Sequence, residues 1–158
     1  MQIAGEVRGI DPYEYFHLKE RSHVSRAAAL TISAARQAFA DAKLNTELLT
    51  LEERRRIGVV LGSGGGGQEF TERQYTHWFR GEPKKASVYT IPTSTIGTLS
   101  SEISMAFRLH GASHIVSTGC TSSTDALFYA CDAIIGGRAD IVVTGGVDAP
   151  LAPGILLG

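Results

Sequence analysis

The stretch that decides the fold reads Ser117-Thr118-Gly119-Cys120-Thr121-Ser122-Ser123-Thr124-Asp125-Ala126-Leu127. An apolar pair, Ile115-Val116, precedes it, and a helical pattern follows its cluster of small hydroxyl residues. This order predicts a strand, a sharp turn and a helix, with a thiol at the turn. Because the N-terminal end of a helix favours a thiolate, Cys120 is a candidate nucleophile.

The same residues also allow interpretations in which they have structural roles and take no part in a reaction. Cys120 could be a buried structural thiol, since free cysteines are often buried. Cys131 lies in the middle of the following helical pattern, and we expect an inert thiol in the core or at an interface. Asp125 either biases the site or complements the helix dipole. The neighbouring hydroxyls can bond to the turn backbone without taking part in chemistry.

Composition narrows the class of protein. The 158 residues suffice for one domain with a hydrophobic core. A formal net charge of −1 gives no reason to expect binding to nucleic acid or to an anionic membrane. We find no signal-peptide pattern and no apolar run of about 20 residues, so we expect a cytoplasmic protein. Two cysteines without metal-ligand spacing predict reduced thiols, with no metal and no cofactor.

Apolar patterning predicts strands that alternate with helices. Continuous apolar runs predict strands at 57–61, 114–118 and 141–144, and helical periodicity predicts helices at 22–43, 68–80, 94–109 and 122–136. Ser22 or Ser25 can cap the first helix. The predicted buried positions include Met105, Leu127, Ile134 and Ile135. The aromatic residues of helix 68–80 are interpreted as packing residues rather than as a cofactor site. The alternation predicts an α/β fold with a largely parallel sheet.

A run of glycines follows the first predicted strand. Gly62-Ser63-Gly64-Gly65-Gly66-Gly67 formally fits the dinucleotide fingerprint G-x-G-x-x-G, but so many glycines fit many patterns. We favour a tight turn that lets another group approach the backbone. The nucleotide-binding alternative requires an acidic residue after a second strand, about 20 residues later. Glu82 stands near that distance, but in a loop that contains Pro83.

Taken together, these motifs resemble the β-ketoacyl-acyl carrier protein synthases of the thiolase superfamily, especially the ketosynthase subunits of type II polyketide systems. The resembling segments are Val116–Ser122 with Asp125-Ala126, Gly145–Pro150 and the glycine run, and the resemblance is collinear over nearly all 158 residues. It implies an α/β, thiolase-like fold of αβαβα layers with a mixed, mostly parallel sheet. Residues 1–158 would be an N-terminal ketosynthase domain that lacks its first strand and its C-terminal half.

The resemblance also implies a reaction in fatty acid or polyketide biosynthesis. Cys120 would take an acyl group from an acyl carrier protein as a thioester, and a malonyl thioester would lose carbon dioxide and attack it. The N–H of Cys120 would be one of two oxyanion donors. Gly65 would face the acyl pocket, and Thr90 would reach into the partner's pocket across a dimer interface. Strand 114–118 would pair across that interface, in a homodimer or in a heterodimer with a chain-length-type subunit.

One departure from the family limits this expectation. The family's two catalytic histidines and its lysine belong to the second half of the fold, and no histidine of this chain stands at a matching place. We therefore expect an acyltransferase whose 158-residue piece does not condense substrates alone. A non-catalytic partner subunit of a ketosynthase is the main alternative, although such subunits usually lack the cysteine. A nucleotide-binding α/β domain is the third hypothesis.

Overall fold

A parallel sheet of three strands lies at the centre of the structure, a computed structural model that describes residues 3–157. β1 (Ile57–Gly62) lies between β2 (Ser113–Val116) and β3 (Ile141–Gly146). In the register, Val59 is opposite both Ser113 and Val143. Every residue of β1 is buried, as a continuous apolar run predicts for a strand that is covered on both faces.

Helices connect the strands and cover the sheet. In chain order they are α1 (Arg26–Asp41), α2 (Leu51–Arg55), α3 (Gln68–Phe79), α4 (Thr90–Ser94), α5 (Thr98–Ala106), α6 (Ser122–Ile135) and α7 (Pro153–Leu157). Among the helices described within residues 3–157, none has the length and apolarity that a membrane crossing requires.

Successive residues of β1 face different layers. Ile57, Val59 and Leu61 belong to the main core cluster, which also contains residues of α1 and α5. Gly62 faces the opposite way and lies against the first residues of α6. α1 brings a row of buried alanines to the core, and its N-cap is Ser25, whose Oγ accepts a hydrogen bond from the N–H of Ala28 at 3.2 Å. The predicted cap at Ser25 is thus confirmed.

The predicted helix at 94–109 corresponds to α5 alone, and α4 occupies the end of the preceding segment, 81–93, which the pattern predicts as a loop. Thr95 ends α4 in an extended conformation (ψ 122°), which breaks the helical path before α5 begins at Thr98. α5 buries Leu99 and Ile103, and Met105 lies on the opposite side with 65% of its surface exposed. The predicted burial of Met105 is therefore wrong.

The inward face of α6 consists of small residues. Ser122, Ala126 and Ala130 repeat every four positions and are buried against the sheet. The predicted burial of three large residues on this helix is wrong, because the sheet lies against the small ones: Leu127, Ile134 and Ile135 are exposed. Cys131 is also exposed, so it is not a core thiol in this chain.

Helix α3 buries only part of its aromatic set. Phe70 is completely buried, whereas Tyr75, Trp78 and Phe79 are exposed. Of the aromatic set interpreted as packing residues, Phe70 alone is buried within residues 3–157. Only the side of α3 that bears Phe70 and Gln74 lies in the interior.

Glu102 on α5 makes the stability of the fold depend on pH. Burial, and then the charge of Glu20, raises the pKa of its half-buried carboxyl above the ordinary value of 4.5. The folded state then binds this proton more tightly than the unfolded chain, so stability falls as pH rises through the raised pKa. We expect Glu102→Gln to raise the melting temperature at about pH 7.5 and to leave it unchanged below about pH 4.

Thermal unfolding followed by circular dichroism between those pH values measures this effect. Glu47→Gln, at an exposed position, is the matched control. A gain of the same size in both variants, or a gain that persists at low pH, would contradict the assignment to Glu102.

Candidate functional site

The turn that carries Cys120 joins β2 to α6. β2 ends at Val116, two residues before the predicted end at 118, because the backbone already bends at Thr118 (ψ 31°) into a 3-10 turn at Gly119–Thr121. Gly119 has a φ of +69°, a left-handed conformation that suits glycine. The thiol of Cys120 is exposed, so the buried structural interpretation does not hold in this chain.

Hydroxyl groups and one carboxylate hold the turn in shape. The Ser122 hydroxyl accepts a hydrogen bond from the N–H of Thr118 at 3.0 Å and donates to the carbonyl of Gly119 at 2.6 Å. Asp125 accepts hydrogen bonds from the hydroxyls of Thr118 and Thr121. The hydroxyls therefore serve the turn backbone, as expected, and Asp125 is tied to the turn through both threonines.

The backbone around Cys120 leaves a donor available. Within residues 3–157, the N–H of Cys120 donates to no other group. It belongs to the residue that bears the thiol and stands just before the N-terminal end of α6. Free N–H groups in such a place can stabilise negative charge on an oxygen.

The carboxyl end of β1 touches the start of α6. A Cβ placed on Gly62 would collide with backbone atoms of Ser122 and Ser123. Just beyond Gly62, the N–H of Ser63 donates to the carbonyl of Val116 at 3.1 Å. The end of β1 is thus fixed against both β2 and the helix that follows the thiol.

The glycine turn after β1 is held by a residue that follows β3. Asp148 accepts hydrogen bonds from the N–H of Gly65 at 2.7 Å, from the N–H of Gly64 at 3.1 Å and from the Ser63 hydroxyl at 3.1 Å. The Ser63 hydroxyl in turn accepts from the N–H of Gly66 at 2.9 Å. The amides that would cradle a phosphate therefore already bond to a negative carboxylate, which disfavours the nucleotide-binding hypothesis.

The turn that contains Gly65 lies beside the backbone that leads into Cys120. Gly65 is part of the glycine turn, and a Cβ on its neighbour Gly64 would lie 3.7 Å from the carbonyl oxygen of Gly119. The turn therefore borders the backbone beside Cys120. Thr90 begins α4, and its hydroxyl donates to the carbonyl of Ser87 at 2.5 Å. Within residues 3–157, no hydrogen bond connects Thr90 to the Cys120 turn.

Sequence reasoning gave Asp148 no role, although it lies in one of the quoted motifs. Its partners are more than 80 positions away in the chain, so no local pattern indicates the contact. The signal in the sequence was its place two residues after the strand that ends in Gly145-Gly146. Side chains at the carboxyl ends of neighbouring parallel strands meet at one edge of the sheet.

A basic groove lies near α3, away from the sheet. Its volume is about 520 Å³, and its basic lining residues are His23, Arg73, His77, Lys84 and Lys85. Lys85 pairs with Glu82 at 2.7 Å. In the part of the chain that is described, no three histidine, cysteine, aspartate or glutamate side chains are grouped so that they could hold a metal ion.

Comparison with known proteins identifies a family model and relatives that match nearly the whole chain. Residues 5–158 match the family described as the N-terminal domain of β-ketoacyl synthase. The chain is 33% identical to the tetracenomycin polyketide synthase ketoacyl synthase alpha subunit of Streptomyces glaucescens. It is 30% identical to 3-oxoacyl-acyl-carrier-protein synthase 2 of Coxiella burnetii. Each alignment covers 96% of this chain, which spans 36% of the length of either relative.

Solved structures share the fold. A type II polyketide acyl carrier protein in complex with its ketosynthase superposes with a TM-score of 0.83 at 20% identity, over 92% of this chain and 41% of that one. The ishigamide ketosynthase/chain length factor gives a TM-score of 0.80 at 23% identity, over 94% of this chain and 36% of that one. The predicted thiolase-like α/β fold is thereby confirmed.

Proposed function

The chain belongs to the β-ketoacyl synthase family, and on that basis we propose that its full-length gene product is a 3-oxoacyl-carrier protein synthase with Cys120 as nucleophile. The observation that carries the proposal is the exposed thiol on a left-handed glycine turn, with an available N–H on the same residue. The reaction would be a step of fatty acid or polyketide biosynthesis. Because the chain spans about a third of its curated relatives, the whole reaction is proposed for the full-length gene product.

The first half of the reaction is transfer of an acyl group to Cys120. The thiolate attacks the carbonyl carbon of an acyl thioester on the carrier protein. A new bond forms between Sγ and the acyl carbon, the bond to the carrier's sulfur breaks, and the carrier leaves as a thiol after taking a proton. The N–H of Cys120 would donate to the carbonyl oxygen as negative charge develops there, a contribution often worth about 3 kcal/mol.

The second half is condensation with a malonyl thioester. The bond to the carboxylate breaks, carbon dioxide leaves, and the electron pair remains on the α-carbon. This carbon attacks the acyl-Cys120 carbonyl, a carbon–carbon bond forms, and the thiolate of Cys120 is released. Gly65 would line the acyl pocket in both halves, which its place in the turn beside Gly119 supports.

The partners follow from the same proposal. The basic groove near α3 suits a carrier protein that presents phosphate or carboxylate groups. β2 is an edge strand of the described sheet, and such an edge can pair with a strand of another chain. We therefore propose a dimer through β2, with either a second copy or a chain-length-type subunit, and Thr90 reaching toward the partner's pocket. The compartment that fits this chemistry is the cytoplasm.

Mass spectrometry tests the acyl transfer. The full-length gene product is incubated with octanoyl-loaded acyl carrier protein and analysed as an intact protein and as peptides. We expect one octanoyl group on the peptide that contains Cys120 and none on the peptide that contains Cys131. An adduct on Cys131 alone would contradict the role of Cys120. No adduct at all, with co-purification of an intact ketosynthase, would instead favour a non-catalytic partner subunit.

A further inference from the structure

Asp148 is placed to control the position of the glycine turn beside the nucleophile. It follows β3 by two residues and accepts three hydrogen bonds, all of them from the turn at Ser63–Gly65. Bonds to an ionised acceptor are stronger than those between neutral groups. The side chain of Asp148 is exposed, so these bonds are not a by-product of burial in a core.

The contacts continue from Asp148 to the thiol. Gly64 and Gly65 donate to the two carboxylate oxygens, and the backbone of Gly64 borders the carbonyl of Gly119. Gly119 is the left-handed residue that turns the chain into Cys120. A shift of the glycine turn would therefore change the wall beside Cys120 without touching the thiol itself.

We propose that Asp148 is a positioning residue, which fixes the glycine turn as the wall of the acyl pocket next to Cys120. The inference rests on the proposed function, because it needs an acyl group on Cys120. The proposal predicts that loss of Asp148 changes the position of the pocket wall much more than the stability of the fold. A purely structural residue would change both together. Gly64 is exposed, so solvent can satisfy its N–H when the carboxylate is lost, and the cost to folding is small. Solvent cannot, however, replace the carboxylate in holding the turn in place against a bound acyl chain.

The experiment compares a large and a small reagent at the same sulfur. In the full-length gene product carrying Cys131→Ala, the rate of Cys120 acylation by octanoyl-carrier protein is divided by its rate of alkylation by iodoacetamide. Alkylation requires only an accessible thiolate, whereas acylation requires the pocket wall. Asp148→Asn retains one oxygen, so at least one of the Gly64 and Gly65 N–H groups loses its acceptor.

We expect Asp148→Asn to lower this ratio about tenfold, with Asp148→Glu restoring part of it. Ser63→Ala, which removes one of the three donors, should lower the ratio less. Asp140→Asn is the matched control: this exposed carboxylate lies just before β3, where it pairs with Arg56 at 2.7 Å, and its loss should leave the ratio unchanged.

Two results would overturn the inference. One is an unchanged ratio in Asp148→Asn, whether both rates stay the same or fall equally. The other is loss of folding in both Asp148→Asn and Ser63→Ala, which would assign a structural role. If the protein that retains Asp148 is not acylated at Cys120, the proposed function itself fails, and the inference loses its premise.

Discussion

Replacing Cys120 by alanine is expected to abolish acylation of the protein while leaving its fold intact. The thiol is the only group that the proposed transfer needs as nucleophile, so the amount of acyl adduct should fall at least about a thousandfold. The side chain is exposed, and exposed substitutions usually change stability by less than about 0.5 kcal/mol. Intact-protein mass spectrometry measures the adduct, and thermal unfolding measures the fold.

Cys131 provides a matched control for this prediction. It is also an exposed free thiol, and it lies on α6, the helix that begins just after Cys120. Cys131→Ala should retain the full amount of adduct. An adduct that survives in Cys120→Ala and disappears in Cys131→Ala would reverse the assignment. Equal adduct in both variants would exclude a dedicated nucleophile.

Gly62→Ala is expected to destabilise the fold by about 3 kcal/mol, because a methyl group would meet backbone atoms that cannot move away. The colliding atoms are the carbonyl group of Ser122 and the N–H of Ser123, in the first turn of α6. β1 or α6 would have to shift, and either shift would carry the Cys120 turn with it. We therefore expect reduced reactivity of Cys120 toward iodoacetamide as well as a lower melting temperature.

Gly64→Ala is the control that distinguishes steric collision at Gly62 from a general sensitivity of this region to the loss of a glycine. A Cβ at this position would make ordinary contacts, the nearest being 3.6 Å from Asp148 Oδ2. Its φ is not among the positive values in the chain, so alanine fits the backbone. Urea unfolding of the two variants gives the comparison. If Gly64→Ala costs as much stability as Gly62→Ala, close packing of β1 against α6 is not the cause.

Local chemistry explains which features the sequence predicts well. β1 is a continuous apolar run, and Ser25 stands directly before an apolar helical face, so each signal lies within a few residues. The turn at Cys120 is similarly compact, since its glycine, hydroxyls and helix follow one another in the chain. Features of this kind need no knowledge of distant contacts.

The features that sequence reasoning missed depend on distant contacts. α6 has apolar residues on several sides, and periodicity does not tell whether its alanines or its large residues face the sheet. The close approach of Gly62 decides this, because only a face of small residues fits against it. Asp148 is similar, since its hydrogen bonds join two segments that only the completed sheet brings together.

The strand order also determines when the surroundings of the Cys120 turn can form during folding. β2 and β3 flank α6 in the chain, yet they do not pair, because β1 lies between them. A unit of β2, α6 and β3 therefore has no sheet of its own until a strand from much earlier in the sequence has joined it. Such long-range pairing must first close large loops, which slows folding. Cys120 is thus adjacent to its helix in sequence, but its surroundings form only after β1 has paired with both neighbouring strands.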